Sequence, residues 1–145
     1  MTSNSVPRPC ACNSVRKTAR VLARTFDLAL AGSGLNITQL AVLRALQRHP
    51  LEPLSHVADD LAMDRTSLYR ALAAMQKQRW VTLREGNDSR SRSAAVTRAG
   101  EAALARAEPG WTGMQCALIE RFGAQEWQAL VAELARLSDC ARELA

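Results

Sequence analysis

"LSHVADDLAMDRTSLYRALAAMQKQRWVTLREGNDSRSRSAAVTRAG", residues 54–100, changes its hydrophobic period along its length. Val57, Ala58 and Leu61 form the inner stripe of one short helix starting at Leu54. Ala62-Met63-Asp64 breaks it, and Asp64 is a suitable N-cap for a further helix from Arg65. Leu68, Leu72 and Met75, spaced by four and three, give that helix its buried face. After Arg79 the period shortens. Trp80–Leu83 and Ala94–Thr97 read as two strands, joined by a loop around Gly86-Asn87-Asp88 that carries Arg84, Arg90 and Arg92. Two short helices with a tight break, followed by a hairpin, form the pattern of a winged helix-turn-helix.

In such a pair the second helix enters the major groove of DNA, and its N-terminal residues meet base edges. Here those residues are Arg65, Thr66, Ser67, Tyr69 and Arg70. Arginine can bond guanine bidentately, and Thr or Ser can bond bases or phosphate. The hairpin is then a wing. Arg90 and Arg92 alternate along it, so both can project to one side, and narrow minor grooves attract arginine. Asp88 is wrong in charge for DNA and is expected to orient Arg90 or cap the turn.

Outward from this segment the chain reads as helices. Val15, Ala19, Leu22, Phe26 and Ala29 make one stripe of a helix over about 13–30, capped by Asn13 or Ser14 and ended at Gly32-Ser33-Gly34. Thr38 stands where an N-cap belongs, ahead of Leu40, Leu43 and Leu46 on a helix that stops before Pro50. Beyond the hairpin, Leu104, Ala107, Trp111, Met114, Leu118 and Phe122 share a stripe, with Pro109 expected to kink or restart the helix. Trp127, Leu130, Leu134, Leu137, Ala141 and Leu144 give the last helix the cleanest repeat. Stripes at both chain ends expose more apolar surface than one small core can cover, which points to packing between two subunits. The competing reading is that they close over the monomer's own core.

A chain of 145 residues supplies one domain with extensions. Residues 1–12 read as a flexible N-terminal tail and residues 13–145 as a single unit. Within that unit, 13–35 and 101–145 are the dimerisation helices and 36–100 the DNA-binding lobe. The net charge of +5 is unevenly spread: residues 55–100 hold eight Lys/Arg against five Asp/Glu, and residues 101–145 hold four against seven. One face of the molecule is therefore suited to an anionic partner. No run is long and apolar enough to cross a bilayer, and the first residues lack the apolar centre of a signal peptide. The expectation is a cytoplasmic protein with reduced thiols and no membrane association.

The stretch resembles the MarR family (multiple-antibiotic-resistance regulators), over about Val15 to Leu144. "LNITQLAVLRAL" is similar to the family's second helix, although Thr38 and Gln39 are adjacent here. "LSHVADDLAMDRTSLYRALAAMQKQRWVTLRE" resembles its helix-turn-helix and first wing strand. "DSRSR" resembles the wing's Asp-x-Arg through Asp88 and Arg90, and "VTRAG" the closing Thr-x-x-Gly through Thr97 and Gly100. "PGW" resembles the kink in the fifth helix. Arg79-Trp80 departs from the usual turn glycine and leucine. The resemblance implies a mainly α fold with a small two- or three-stranded β wing, in which N- and C-terminal helices form a dimerisation domain. It implies a homodimer on a pseudo-palindromic operator of double-stranded DNA. It also implies repression, released by a small-molecule effector or by thiol modification. A ligand cleft between dimer domain and lobe would place Trp111 near the effector.

Other residues are weighed against plainer roles. Cys10 and Cys12, in "CAC" beside Arg8 and Arg16, are candidates for sensing oxidants or a soft metal ion, against two ordinary tail residues. Their spacing is tighter than a zinc knuckle, so no structural metal is expected. Cys116 and Cys140 read as small buried hydrophobes. His49 and His56 read as isolated surface residues. No phosphate loop, nucleophile elbow or His/carboxylate set suggests an enzyme or a cofactor. The rival to a DNA-binding regulator is a winged helix used for protein–protein contact, without an operator. Against it stand Arg65, Arg70, Arg90 and Arg92.

Overall fold

The computed structural model describes residues 9–86 and 91–145. Helix α1 spans Ala11–Leu30 and ends in a 3-10 turn, Ala31–Ser33; α2 is Ile37–Arg48, α3 Leu54–Asp60 and α4 Arg65–Lys77. Strands β1 (Val81–Arg84) and β2 (Ser93–Val96) follow, then α5 (Arg98–Phe122) and α6 (Ala124–Glu143). Among the described residues no single helix is long and apolar enough to cross a membrane.

The first helix begins earlier than its stripe suggests. Cys10 is its N-cap residue and Cys12 lies in its first turn, so both leave the tail where sequence placed them. Ser14 is inside the helix, and its hydroxyl donates to the Cys10 carbonyl at 2.9 Å instead of capping. At α2 the cap is Asn36, not Thr38. The Asn36 side chain accepts from the Gln39 N–H at 2.8 Å, and the Gln39 side chain accepts from the Asn36 N–H at 3.0 Å. This reciprocal box satisfies two donors that a helix start leaves free.

The core gathers around α2, whose Leu40, Val42, Leu43, Ala45 and Leu46 are all buried. Leu54 and Val57 from α3, Leu68, Leu72 and Met75 from α4, and Trp80 and Val81 join it. Ala94 closes it from β2, and Ala103, Leu104 and Ala107 from the first half of α5. The wing is a two-stranded antiparallel sheet with Val81 opposite Val96 and Arg84 opposite Ser93. The place of a third strand is taken by one bond, the Leu54 N–H donating to the Arg92 carbonyl at 2.8 Å.

Helix α5 continues through Pro109 without restarting. Beside it, Gly110 lies so close to the Ala29 carbonyl of α1 that a Cβ there would overlap it. Further along, the apolar stripes lose their cover. Helix α6 has no buried residue, and Leu130, Val131, Leu134 and Leu137 are exposed. Val15 and Val21 of α1 are exposed too. Phe26, Leu104 and Ala107 of the stripes are buried in the chain's own core, whereas the outer half of α1 and the α6 stripe stay uncovered.

Candidate nucleic-acid interface

The α3–α4 joint is built from backbone bonds. Met63 N–H donates to the Ala58 carbonyl at 2.9 Å and Ala62 N–H to the Asp59 carbonyl at 3.1 Å. This is a Schellman ending, which requires a left-handed residue, here Ala62 at φ 50°. Helix α4 then starts on Asp64. Its Oδ1 accepts the Ser67 N–H at 2.8 Å and its Oδ2 the Ser67 hydroxyl at 2.7 Å. These bonds, the hydroxyl first, hold the Asp64 carboxyl below its ordinary pKa.

With Leu68, Leu72 and Met75 buried, α4 turns Arg65, Thr66, Arg70, Ala73, Ala74 and Lys77 to solvent. Ser67 and Tyr69 are half-buried, and Tyr69 packs against the core. A groove of about 310 Å³ beside α4 brings Asn36 and Thr38 of α2 next to Ser67 and Arg70. Sequence treated Thr38 only as a cap; its place here depends on how α2 crosses α4. Among the described residues, Arg65, Arg70, Lys77, Arg79 and Arg84 pair with no carboxylate. Arg92 is exposed, with Nη2 3.4 Å from Glu85 Oε1. Asp88 and Arg90 lie outside the described residues.

The unusual Arg79 occupies the position of a turn glycine in the same backbone form, with φ 59°. Its N–H donates to the Gln76 carbonyl at 2.9 Å and Trp80 N–H donates to the Met75 carbonyl at 3.0 Å, a second Schellman ending. The Thr97 hydroxyl donates to the Arg79 carbonyl at 2.6 Å while accepting from Gly100 N–H at 3.1 Å. Gly100 is required sterically, since a Cβ there would overlap the Trp80 carbonyl. Thr-x-x-Gly thus bolts α4, the wing and α5 together at one point.

Two other expectations change. His49 and His56 are not isolated: the Nδ1 atoms of both lie 3.1 Å from Glu52 Oε2, and His49 Nε2 lies 3.4 Å from Asp60 Oδ2. Arg48 completes the group, 2.7 Å from Asp60. Among the described residues no group of three such side chains is arranged to hold a metal ion. Cys116 and Cys140 are exposed, as are Cys10 and Cys12. Trp111 is half-buried, and the Arg44 guanidinium lies 4.1 Å from its ring centroid. Arg44 also pairs with Glu108 at 2.7 Å, which holds the Glu108 carboxyl below its usual range. The ring thus faces a cation from α2.

A profile for the IclR helix-turn-helix domain matches residues 39–85, the span from α2 through β1. Over the whole chain, the transcriptional regulator MosR of M. tuberculosis in complex with DNA is 32% identical, with TM-score 0.84, covering 93% of this chain and 98% of that one. MosR in a second crystal structure is 30% identical, with TM-score 0.82, covering 92% and 96%. The S. aureus MepR–DNA complex, 13% identical over 91% and 96% with TM-score 0.74, shares the fold. No curated protein sequence matches the chain.

Proposed function

The chain belongs to the MarR family of winged helix-turn-helix transcriptional regulators, which bind DNA, and from this we propose that it is a homodimeric repressor of a pseudo-palindromic operator. The observation that carries the reading is the outer face of α4, where Arg65, Arg70 and Lys77 stand without a carboxylate partner among the described residues. Desolvating a cation already paired would gain little; an unpaired row is ready for phosphates and base edges. Arg65, Thr66 and Arg70 are assigned to the major groove, with Ser67 and Tyr69 at its edge. The Ser67 hydroxyl gives its proton to Asp64, which leaves it free to accept a hydrogen bond from a base. Arg90 and Arg92 are assigned to the wing's grip on the flanking groove, with Asp88 orienting the loop.

Two copies would set their recognition helices roughly 34–36 Å apart, one turn of duplex. The exposed stripes of α1 and α6 support the dimer: they flank an apolar groove of about 300 Å³ lined by Val15, Leu22, Trp127, Leu130 and Leu134. On this reading residues 13–35 and 101–145 dimerise and residues 36–100 bind DNA. Release would come by either of two routes. An effector could enter beside Trp111 and displace Arg44 from its ring, where α2 of the lobe meets α5. Alternatively, oxidation of Cys10 and Cys12 would act at the first turn of α1.

The test is binding of purified protein to the DNA upstream of its own gene, titrated against salt. A steep salt slope is expected, and Arg65→Ala should weaken binding by roughly tenfold or more. Arg92→Ala should flatten the slope by about one ion-equivalent. Salt-independent or absent binding would favour a protein-contact module. Loss of peroxide response in a Cys10→Ser/Cys12→Ser variant that still binds DNA would identify the thiol route.

A further inference from the structure

We propose that the trough between α2 and α4, about 310 Å³ in volume, seats one sugar–phosphate strand of the duplex, with the Thr38 hydroxyl donating to a phosphodiester oxygen. The proposal rests on the DNA-binding reading and adds to it a contact from outside α4 and the wing.

The capping box at the start of α2 sets the chemistry of the trough. Asn36 Oδ1 accepts the Gln39 N–H at 2.8 Å, and Gln39 Oε1 accepts the Asn36 N–H at 3.0 Å. A backbone N–H requires an acceptor, so both side-chain oxygens are held by the helix itself. What each amide has left over is its NH2, which only donates. Thr38, between them in the chain, is exposed, and its hydroxyl makes no hydrogen bond among the described residues. Asn36, Thr38 and Gln39 all line the trough. The α2 wall is therefore a row of hydrogen-bond donors.

The α4 wall matches it. Arg70 lines the trough and is exposed, without a carboxylate partner among the described residues. Ala71 and Ala74 contribute only methyl groups, which leaves room for a ligand. Ser67 is the one hydroxyl here that turns a lone pair outward, because its proton goes to Asp64. No carboxylate lines the trough, and Asp64, the acid that starts α4, has both oxygens bonded to Ser67. Donors with one free cation suit a ligand that only accepts and is negatively charged, and a phosphodiester is such a group.

The size of the major groove says which part of the duplex this is. A helix with its side chains is about 10–12 Å across, and the groove is about 12 Å wide. Helix α4 fills it, so a helix lying beside α4 meets the sugar–phosphate strand at the groove's edge. Contacts of that kind fix orientation and register and read no sequence. Thr38 is thus a positioning contact for α4, separate from the side chains assigned to base edges.

The experiment compares full-length wild type, Thr38→Val and Thr38→Ser on the upstream duplex and on an unrelated duplex of equal length. Valine keeps the shape and removes the hydroxyl. Thr38→Val should raise Kd about tenfold on both duplexes. Its salt slope should match that of wild type, because a neutral donor releases no counterion. Thr38→Ser should recover most of the affinity lost in Thr38→Val. All three should melt close together without DNA, since the hydroxyl holds nothing in the free protein. Single phosphates of the upstream duplex are then replaced in turn by methylphosphonate. At one phosphate of each half-site the loss suffered by wild type should largely vanish in Thr38→Val, and elsewhere both proteins should lose equally. A Thr38→Val protein that binds like wild type, or losses that match at every phosphate, would overturn the proposal. So would a deficit confined to the upstream duplex, which would place Thr38 at a base, or a fall in Tm that accounts for the lost affinity. A wild type that binds neither duplex at low salt would instead sink the DNA-binding reading.

Discussion

Both carboxylate oxygens of Asp64 are occupied by Ser67 at the start of α4. Because the folded carboxyl titrates below the ordinary aspartate value of about 3.9, its contribution is complete above about pH 4 and is lost as pH falls through the lower folded value. Asp64→Asn should therefore melt below wild type by a constant gap from pH 8 to pH 5, and the gap should shrink in stronger acid. A gap that kept its size at about pH 3 would refute the assignment. Ala62 presents the opposite situation, a residue whose backbone asks for glycine. Its left-handed form disfavours any Cβ by roughly 1 kcal/mol, so Ala62→Gly should raise Tm by a few degrees, about 2–4 °C, and Ala62→Val should lower it. Asp64 was legible as a cap because capping is local. The left-handed form at 62 was not, since alanine seldom takes it.

At the scale of elements, α5 shows how one glycine can be indispensable and its neighbour dispensable. Gly110 lies against the Ala29 carbonyl, whereas a Cβ on Gly113 would meet nothing within 4 Å. Gly110→Ala should cost about 1–3 kcal/mol by forcing α1 and α5 apart. Gly113→Ala should be neutral or stabilise by about 0.5–1 kcal/mol, through helix propensity. Equal effects in urea unfolding would contradict the packing. "PGW" was noticeable in the sequence as a place for a kink or a restart; α5 does not restart at Pro109, and what the sequence did not show is the close approach of Gly110 to α1. The α2 start was misjudged similarly. Thr38 and Asn36 are both good caps in isolation, and Gln39 decides between them by closing the box on Asn36.

Among the described residues, two surfaces remain unsatisfied in a single chain: the cations of α4 without a carboxylate partner and the uncovered leucines of α6. They sit in the segments that charge counting separated, the basic middle and the acidic end. Leu134 lines the apolar groove from α6 and is 39% exposed. Leu134→Glu should therefore convert a dimer into folded monomers by light scattering. Duplex affinity should fall far more than tenfold, because two linked half-sites become one. A Leu134→Glu protein that remains dimeric would place the interface elsewhere. The discriminating quantity is the mass, not the melting temperature of the separated monomers.

Periodicity and turn chemistry in residues 54–100 were enough to determine the helix pair, the two strands and the outward placing of Arg65 and Arg70 on α4, because each depends on neighbours within a few positions. The stripes at the two ends likewise announced apolar faces, of which those on α6 are exposed in the single chain. Only the tertiary structure decided what lies against what. It brought His49 and His56 to one carboxylate, set Arg44 over Trp111, and pressed Gly110 onto Ala29. Those contacts follow from the angles at which helices cross. A linear pattern does not contain such angles, because side-chain spacing along one helix says which face is buried and leaves open which neighbour it meets.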